Sequence, residues 1–509
     1  MTTLALLRKG MQTALLCAGF TLAAVAADPA LTIYNQDFAV VREVLPLDLQ
    51  AGSNTVRFSG ATAHLEPDSV ILRDPTGKRA LAVLEQNYRA DPISQGLLLN
   101  LYEGKTIEFE VRLQDGSTRT VTGKIVRSGY VPHYGAMQRY GSQYQNAQMT
   151  MANEGSGQPI IEVNGKLQFN LPGEPIFPSL GDDTILKPAL DWLIHSSVAA
   201  KFDAELSYVT GGMTWNADYN VVAPETGDTL DLVGWVTLDN QSGKQFDHAR
   251  IKLMAGDVNK VNPNQPRTFA SARAVGGMMD LSAPQVTERS FEDYHLYTLP
   301  LPTTLHDRET KQVEFLRGSD IASKRLYVYD GVSIDRNQYN GYQDLRQIQQ
   351  YGTESNPHVW VMREFVNSEA NHLGMPLPKG RVRFYRRDQD GQLEFTGENE
   401  IDHTAKDETV RIYTGNAFDI AGERRQTHYQ TQQQFPSGFA DESFEIKLRN
   451  HKKEPVTVHI VEHLYRWYNW VITQESDSHH KRDSRTIEYK VTLAPDQEKV
   501  VTYTAHYTW

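Results

Sequence analysis

Apolar residues recur at every second position through most of the chain, in runs of four to eight separated by Gly, Pro, Asn and Asp. Alternation sends successive side chains to opposite faces of an extended chain, so each run predicts a half-buried strand. The clearest runs are Thr106–Leu113, Ile160–Val163, Leu167–Leu171, Leu326–Tyr329, Arg381–Tyr385, Phe444–Leu448 and Val456–Ile460. Between alternating segments stand Asp115-Gly116, Asn164-Gly165 and Asp390-Gly391. These dipeptides accept the positive φ of a tight hairpin. Helical spacing is nearly absent. Its best example, Asp182–Phe202, contains Pro188 and reads equally as strand, with Leu190, Trp192 and Ile194 alternating. The pattern predicts an all-β protein of tandem β-sandwich domains.

Residues 97–177 read as a unit of five short strands with Gly at the corners, which predicts a small inserted β-barrel. It would lie within an N-terminal β domain over residues 28–184. A C-terminal sandwich region would follow over 185–509, with two sandwiches dividing near residue 331. Three stretches break the alternation and are rich in Gln, Asn, Gly and Tyr: His133–Gln158, Arg336–Asn356 and Gln426–Gly438. Their low apolar content offsets little ordering entropy, so they are expected to be long, loose surface loops.

The first 27 residues follow a different rule. Arg8-Lys9 precede an apolar run from Met11 to Ala27 that closes on small residues, the pattern of a cleavable export signal. An uncleaved anchor is the competing reading; the run is short for a span and ends in a plausible cleavage site. Leu16 before Cys17 does not suit lipidation. The whole chain has 51 basic and 63 acidic residues, a formal charge of −12 and one cysteine. Cleavage would remove Arg8, Lys9 and Cys17 but no acid, leaving a thiol-free chain of more negative charge. Such a chain has no disulfide, no thiolate-held zinc and no Cys nucleophile. Its acidic balance argues against a nucleic-acid partner, because phosphates would be repelled. The mean hydropathy of −0.50 excludes a protein of stacked apolar helices. No helical membrane span is expected in the mature chain, and its predicted location is periplasmic or secreted.

A family resemblance rests on Ala204–Tyr219 (AELSYVTGGMTWNADY), Ile401-Asp402-His403-Thr404, Gly422-Glu423-Arg424-Arg425, Leu448-Arg449-Asn450-His451-Lys452 and Val461-Glu462-His463-Leu464-Tyr465. Together these resemble the exported bacterial proteins of domain-of-unknown-function family 4139, over roughly residues 190–509. Leu31–Arg42 resembles the N-terminal region of mucoidy-inhibitor-type proteins, although the coiled coil that commonly follows it there has no heptads here. The resemblance implies an exported β-sandwich protein and supplies no catalytic residues.

Candidate chemistry is sparse. His459-Ile460-Val461-Glu462-His463 fits H-x-x-E-H, in which a helix would hold zinc between two His with the Glu as general base. Pro455-Val456-Thr457-Val458 leads in as a strand, which would send Glu462 to the face opposite His459 and His463. His479-His480 with Asp477 and Asp483 offers a second chelating set, more simply read as a solvated turn. No metal or other cofactor is expected. No G-x-S-x-G elbow or phosphate-binding Gly loop occurs. Asp218, Asp402 and Glu423 lie near the family motifs without a spacing that specifies acid–base work.

Recognition has a better candidate in Tyr465, Trp467, Tyr468 and Trp470. Read as a strand, this run puts Tyr465 and Trp467 on one face and Tyr468 and Trp470 on the other, one face for the core and one for a ligand, with core packing on both faces the competing and simpler reading. Finally, Val501, Tyr503, Ala505, Tyr507 and Trp509 alternate like the last strand of an outer-membrane barrel. The expectation is a non-catalytic binding or scaffolding module of the cell envelope, with an envelope protein or glycan as partner. A hydrolase of an envelope polysaccharide or peptide is the alternative, and an outer-membrane barrel a third reading.

Overall fold

The computed structural model describes residues 28–89, 93–113, 115–130, 158–180, 184–256, 258–260, 287–291, 294–334, 339, 344–434 and 437–509. The expected signal, residues 1–27, and most of the polar stretch His133–Gln158 lie outside them. Strands dominate, as the alternation predicts: Thr106–Arg112, Ile160–Val163, Ser323–Asp330, Gly380–Arg387, Ser437–Asn450 and Val456–His463 contain or closely match the predicted runs. Asn164 and Gly165, with φ of 51° and 74°, turn Ile160–Val163 into Lys166–Gln168. Ala189–Ser196 forms the strand with Leu190, Trp192 and Ile194 buried.

Among the described residues the strands form five sheets, of eight, five, three, five and nine strands, and none closes on itself. The small unit is therefore an open sheet, not the expected barrel. Its end strands Glu174–Ile176 and Lys166–Gln168 do not pair, and Phe109, Ile125 and Ile161 form a core of their own with helix Gln95–Leu101. Nor does an outer-membrane barrel fit. Val501, Tyr503, Ala505 and Tyr507 are buried in an open nine-stranded sheet, so that face of the strand fills a core. The first strands cross the division expected at residue 184, since Ala30–Tyr34 and Phe38–Leu49 pair with Phe246–Ala255 and Ala200–Gly211.

One polar stretch is misread by composition. The described residues of Gln426–Gly438, 426–434 and 437–438, form a ladder rather than a loop: Thr409–Gln434 pairs with Ser437–Asn450 down to Gln434 opposite Ser437. Backbone pairing satisfies the main chain whatever the side chains are, so Gln and Thr line a solvated strand.

The sheets repeat one plan twice. In the first copy, Leu230–Asn240 pairs with Glu309–Ile321, and Phe246–Ala255 pairs parallel to Ala30–Tyr34 and antiparallel to Thr303–Leu305. In the second, Ser437–Asn450 pairs with Glu498–Thr508, and Val456–His463 pairs parallel to Ser323–Asp330 and antiparallel to Thr486–Leu493. The corners match atom for atom. Asn240 Nδ2 donates to the carbonyls of Lys244 (2.8 Å) and His306 (3.0 Å). Asn450 Nδ2 donates to those of Glu454 and Ala494, both at 3.0 Å. Glu309 accepts from the His306 amide as Gln497 accepts from that of Ala494, and Arg308 and Asp496 both take the left-handed conformation between them. The register makes Val236 equivalent to Ile446, Leu305 to Leu493 and Val313 to Val501.

Candidate functional site

The H-x-x-E-H run lies on strand Val456–His463, as its β-branched lead-in predicts. Its two His make separate pairs: His459 Nδ1 with Glu488, and His463 Nε2 with Asp330 at 2.9 Å. In the second candidate metal set, His479 pairs with Glu475 at 2.7 Å and Asp477 with Lys499. Among the described residues no three His, Cys, Asp or Glu side chains gather as a metal-binding group.

Glu462 instead faces the core, fully buried, and receives Arg424 Nε at 3.1 and 3.0 Å and the Tyr503 hydroxyl at 2.6 Å. Burial, the largest single influence, would lower the Arg424 pKa; the Glu462 carboxylate together with Tyr503 and Tyr465 outweighs it and holds the guanidinium firmly protonated. Burial first, and then Glu462, pushes the Tyr503 phenol well up. A second buried pair, Arg466 with Glu442, lies nearby, and Gln426 Nε2 donates to the same carboxylate at 3.0 Å. Gly422, in the same family motif as Arg424, has to be glycine because a Cβ would stand 2.1 Å from the Tyr329 ring.

Both arginines reach out of the core to one segment. Arg424 Nη1 donates to the Gly352 carbonyl at 2.8 Å. Arg466 donates to the carbonyls of Leu345 (3.2 Å), Arg346 (3.0 Å), Ile348 (2.9 Å) and Tyr351 (3.0 Å). The Tyr465 hydroxyl adds a bond of 2.6 Å to Gly352, and Tyr429 one of 3.1 Å to Arg346. Residues 344–352 belong to a stretch whose composition predicts a loose loop. They are irregular, with one short helical turn, yet their carbonyls are tied to buried cations.

This segment completes an aromatic platform. The Arg346 guanidinium, paired with Asp344, lies 4.5 Å from the Trp467 ring and 4.9 Å from that of Trp509. Tyr468 lies against Trp467 with centroids 4.6 Å apart and the rings tilted by 35°, and is 64% exposed. Beside it a shallow pocket of about 420 Å³ is lined by Tyr468, Asn469, Thr508 and Trp509. The expected strand geometry of the run does not hold: residues 464–469 leave the sheet, because Arg466 turns inward to its carbonyls, and the chain re-enters it at Trp470. The four predicted residues accordingly divide. Trp467 and Tyr468 build the platform, Tyr465 is a tether to Gly352, and Trp470 packs apart from them under Lys481 and donates to the Ser484 carbonyl.

A larger polar cleft, of about 1110 Å³, is lined by residues of Met213–Ala223, Leu230–Asn240, Gly380–Arg387 and Leu393–Ile401, four strands of one five-stranded sheet. It gathers Asp218, Asp239, Glu398, Glu400, Asp402 and His403 with Lys379 and Arg381. Asp218 accepts from the Thr237 hydroxyl at 3.0 Å and pairs with Arg381 at 3.4 Å. Asp218 and Asp402, both near family motifs, meet here; Glu423 does not, and pairs with Arg449 instead.

The family of a domain of unknown function, DUF4139, matches residues 204–509, which include both copies of the corner, the platform and most of the cleft. The chain belongs to DUF4139. The match starts at Ala204, so the mucoidy-inhibitor-type resemblance of Leu31–Arg42 lies outside it. No curated protein matches the chain. Among the described residues of this DUF4139 protein no helix is long and apolar enough to cross a membrane.

His463 provides a pH test of this region. Its hydrogen bond to Asp330 raises its pKa above the ordinary 6.5 against partial desolvation, helped by Glu462 and Asp483. A pKa raised on folding contributes stability that is complete below about pH 6.5 and fades as pH rises through the folded value. Thermal melts from about pH 5.5 to 8.5 are expected to show wild type losing stability relative to His463→Gln across that window. Parallel curves contradict the pairing.

Proposed function

We propose that this DUF4139 protein is exported to the cell envelope and acts there as a non-catalytic binding or scaffolding module, with a glycan as its partner. The observation that carries the reading is the platform: Tyr468 stands exposed beside Trp467, which Arg346 joins to Trp509. A rigid aromatic face costs little entropy on binding and suits the C–H face of a pyranose, while Asn469 and Thr508 offer hydrogen bonds to hydroxyls. Export is supported by the Arg8-Lys9 leader and its apolar run.

Tryptophan fluorescence titrated with soluble envelope oligosaccharides is expected to show saturable quenching. Tyr468→Ala should weaken it by about tenfold, roughly the worth of one aromatic contact, without lowering the melting temperature. No saturable response to any glycan of the panel rejects the reading, and osmotic-shock fractionation of expressing cells tests export separately. A hydrolase is the second reading, favoured by the convergence of Asp218, Glu398, Glu400 and Asp402 in one cleft. New reducing ends released from the same panel, and lost in Asp218→Asn, would establish it.

A further inference from the structure

The internal repeat allows one core to be compared with the other at the same positions. Arg424 lies opposite Ile446, as Ala217 lies opposite the equivalent Val236. Glu442 corresponds by the same register to Leu232, and counting from the Leu305/Leu493 turn sets Tyr503 level with Phe315, the extra residue of a bulge opposite Gly234 and Trp235. Glu462 corresponds to Leu253 once the one-residue irregularity around His248 is allowed for. Ala217, Leu232, Leu253 and Phe315 are all buried in the first copy's core. The same sandwich plan is thus built once with apolar residues and once with Arg, Glu, Glu and Tyr.

The charged version is not the cheaper one. Ion pairs taken out of water rarely outperform well-packed apolar groups of similar volume. Here the arrangement also leaves Arg466 Nε and Trp467 Nε1 buried without a hydrogen-bond partner. What the second copy gains is a set of donors directed at residues 345–352: six bonds run from Arg424, Arg466 and Tyr465 to backbone carbonyls of this segment. Gly352 sits in the left-handed region, with the Tyr465 hydroxyl 1.8 Å from where a Cβ would be, so the contact is specific to glycine.

We infer that Arg424, Glu462, Arg466 and Glu442 are positioning residues for ligand binding: the buried charges serve to clamp segment 344–352, which holds Arg346 against Trp467 and Trp509. The inference deepens the platform reading and rests on it for the identity of the ligand, whereas the clamp has a readout that needs no ligand. The first copy reaches the same plan with apolar residues at the positions equivalent to Arg424, Glu442 and Glu462.

The test replaces the second core with the first copy's residues, Arg424→Ala with Glu462→Leu and Tyr503→Phe. A second variant removes the other pair, Glu442→Leu with Arg466→Met. Circular dichroism and thermal melting report the fold, hydrogen exchange reports the segment, and fluorescence titration with the oligosaccharide panel reports the platform. The expected result is a cooperative, strand-rich protein in which amides 345–352 exchange about tenfold faster or more, with strand Leu230–Asn240 unchanged. Glycan quenching should weaken in parallel. Unchanged exchange in folded variants overturns the inference, and so does failure of both variants to fold, since the charges would then belong to the fold itself. If exchange responds but wild type binds no glycan, the clamp stands and the proposed ligand falls.

Discussion

Glu462→Ala is expected to melt far below wild type, with a loss of about 3–5 kcal/mol, because it leaves the Arg424 guanidinium buried without its counter-charge. The pair is almost fully excluded from solvent, at 1% and 0% side-chain exposure, so water cannot take over the missing partner. The Tyr503 hydroxyl loses its acceptor in the same stroke. A loss of that size is a large share of the stability of an ordinary domain. Arg424→Ala should cost a similar amount by stranding the carboxylate. The apolar triple replacement should recover much of the loss, because no charge remains to be desolvated. Urea unfolding of the three variants checks the order; a Glu462→Ala protein as stable as wild type would mean that the carboxylate is not buried against Arg424.

The second large effect is expected at the repeated corners. Asn240→Ala and Asn450→Ala each delete a fully buried amide that bridges a carbonyl four residues on to one more than forty residues away, while accepting a backbone amide two residues on. Each substitution should cost about 2 kcal/mol or more, since buried carbonyls lose their donor with no water to replace it. Asn→Asp should be worse at both sites, because a carboxylate would face carbonyl oxygens. Similar losses in the two variants, measured by urea denaturation, are what equivalent corners require; a neutral outcome at one of them breaks the equivalence.

The parts of the fold that composition and periodicity reveal are those where one strand face is apolar. Arg381–Tyr385, Phe444–Leu448 and Val456–Ile460 announce themselves in that way, and Asn164-Gly165 announces its turn. Residues 426–434 do not, because apart from Tyr429 their side chains are polar and the paired backbone makes them a strand. The family membership was readable in Ala204–Tyr219 and the later motifs. The site was half readable. Trp467 and Tyr468 stand out as aromatics, but Arg346 lies more than a hundred residues away, in a stretch that reads as loose. Nothing local signals that Arg424 and Glu462 meet, because they sit on strands far apart in sequence. A usable signal did exist. Leu238-Asp239-Asn240 and Leu448-Arg449-Asn450 recur, followed by Thr304-Leu305 and Thr492-Leu493 with a Glu or Gln four residues after each Leu. Aligning those segments would have exposed the repeat, and with it the apolar-to-charged exchange in the second core.

The most direct test of the account is hydrogen exchange of the unmodified protein at the amides of Ile348, Tyr351 and Thr353. Each of these donates only within the irregular segment, to Leu345, Ile348 and Gln350. An ordinary surface loop of this composition would exchange within seconds, whereas a segment clamped by buried arginines should show slow exchange approaching that of strand Ser437–Asn450. Slow exchange is the predicted result; exchange at the rate of an unstructured peptide would contradict it.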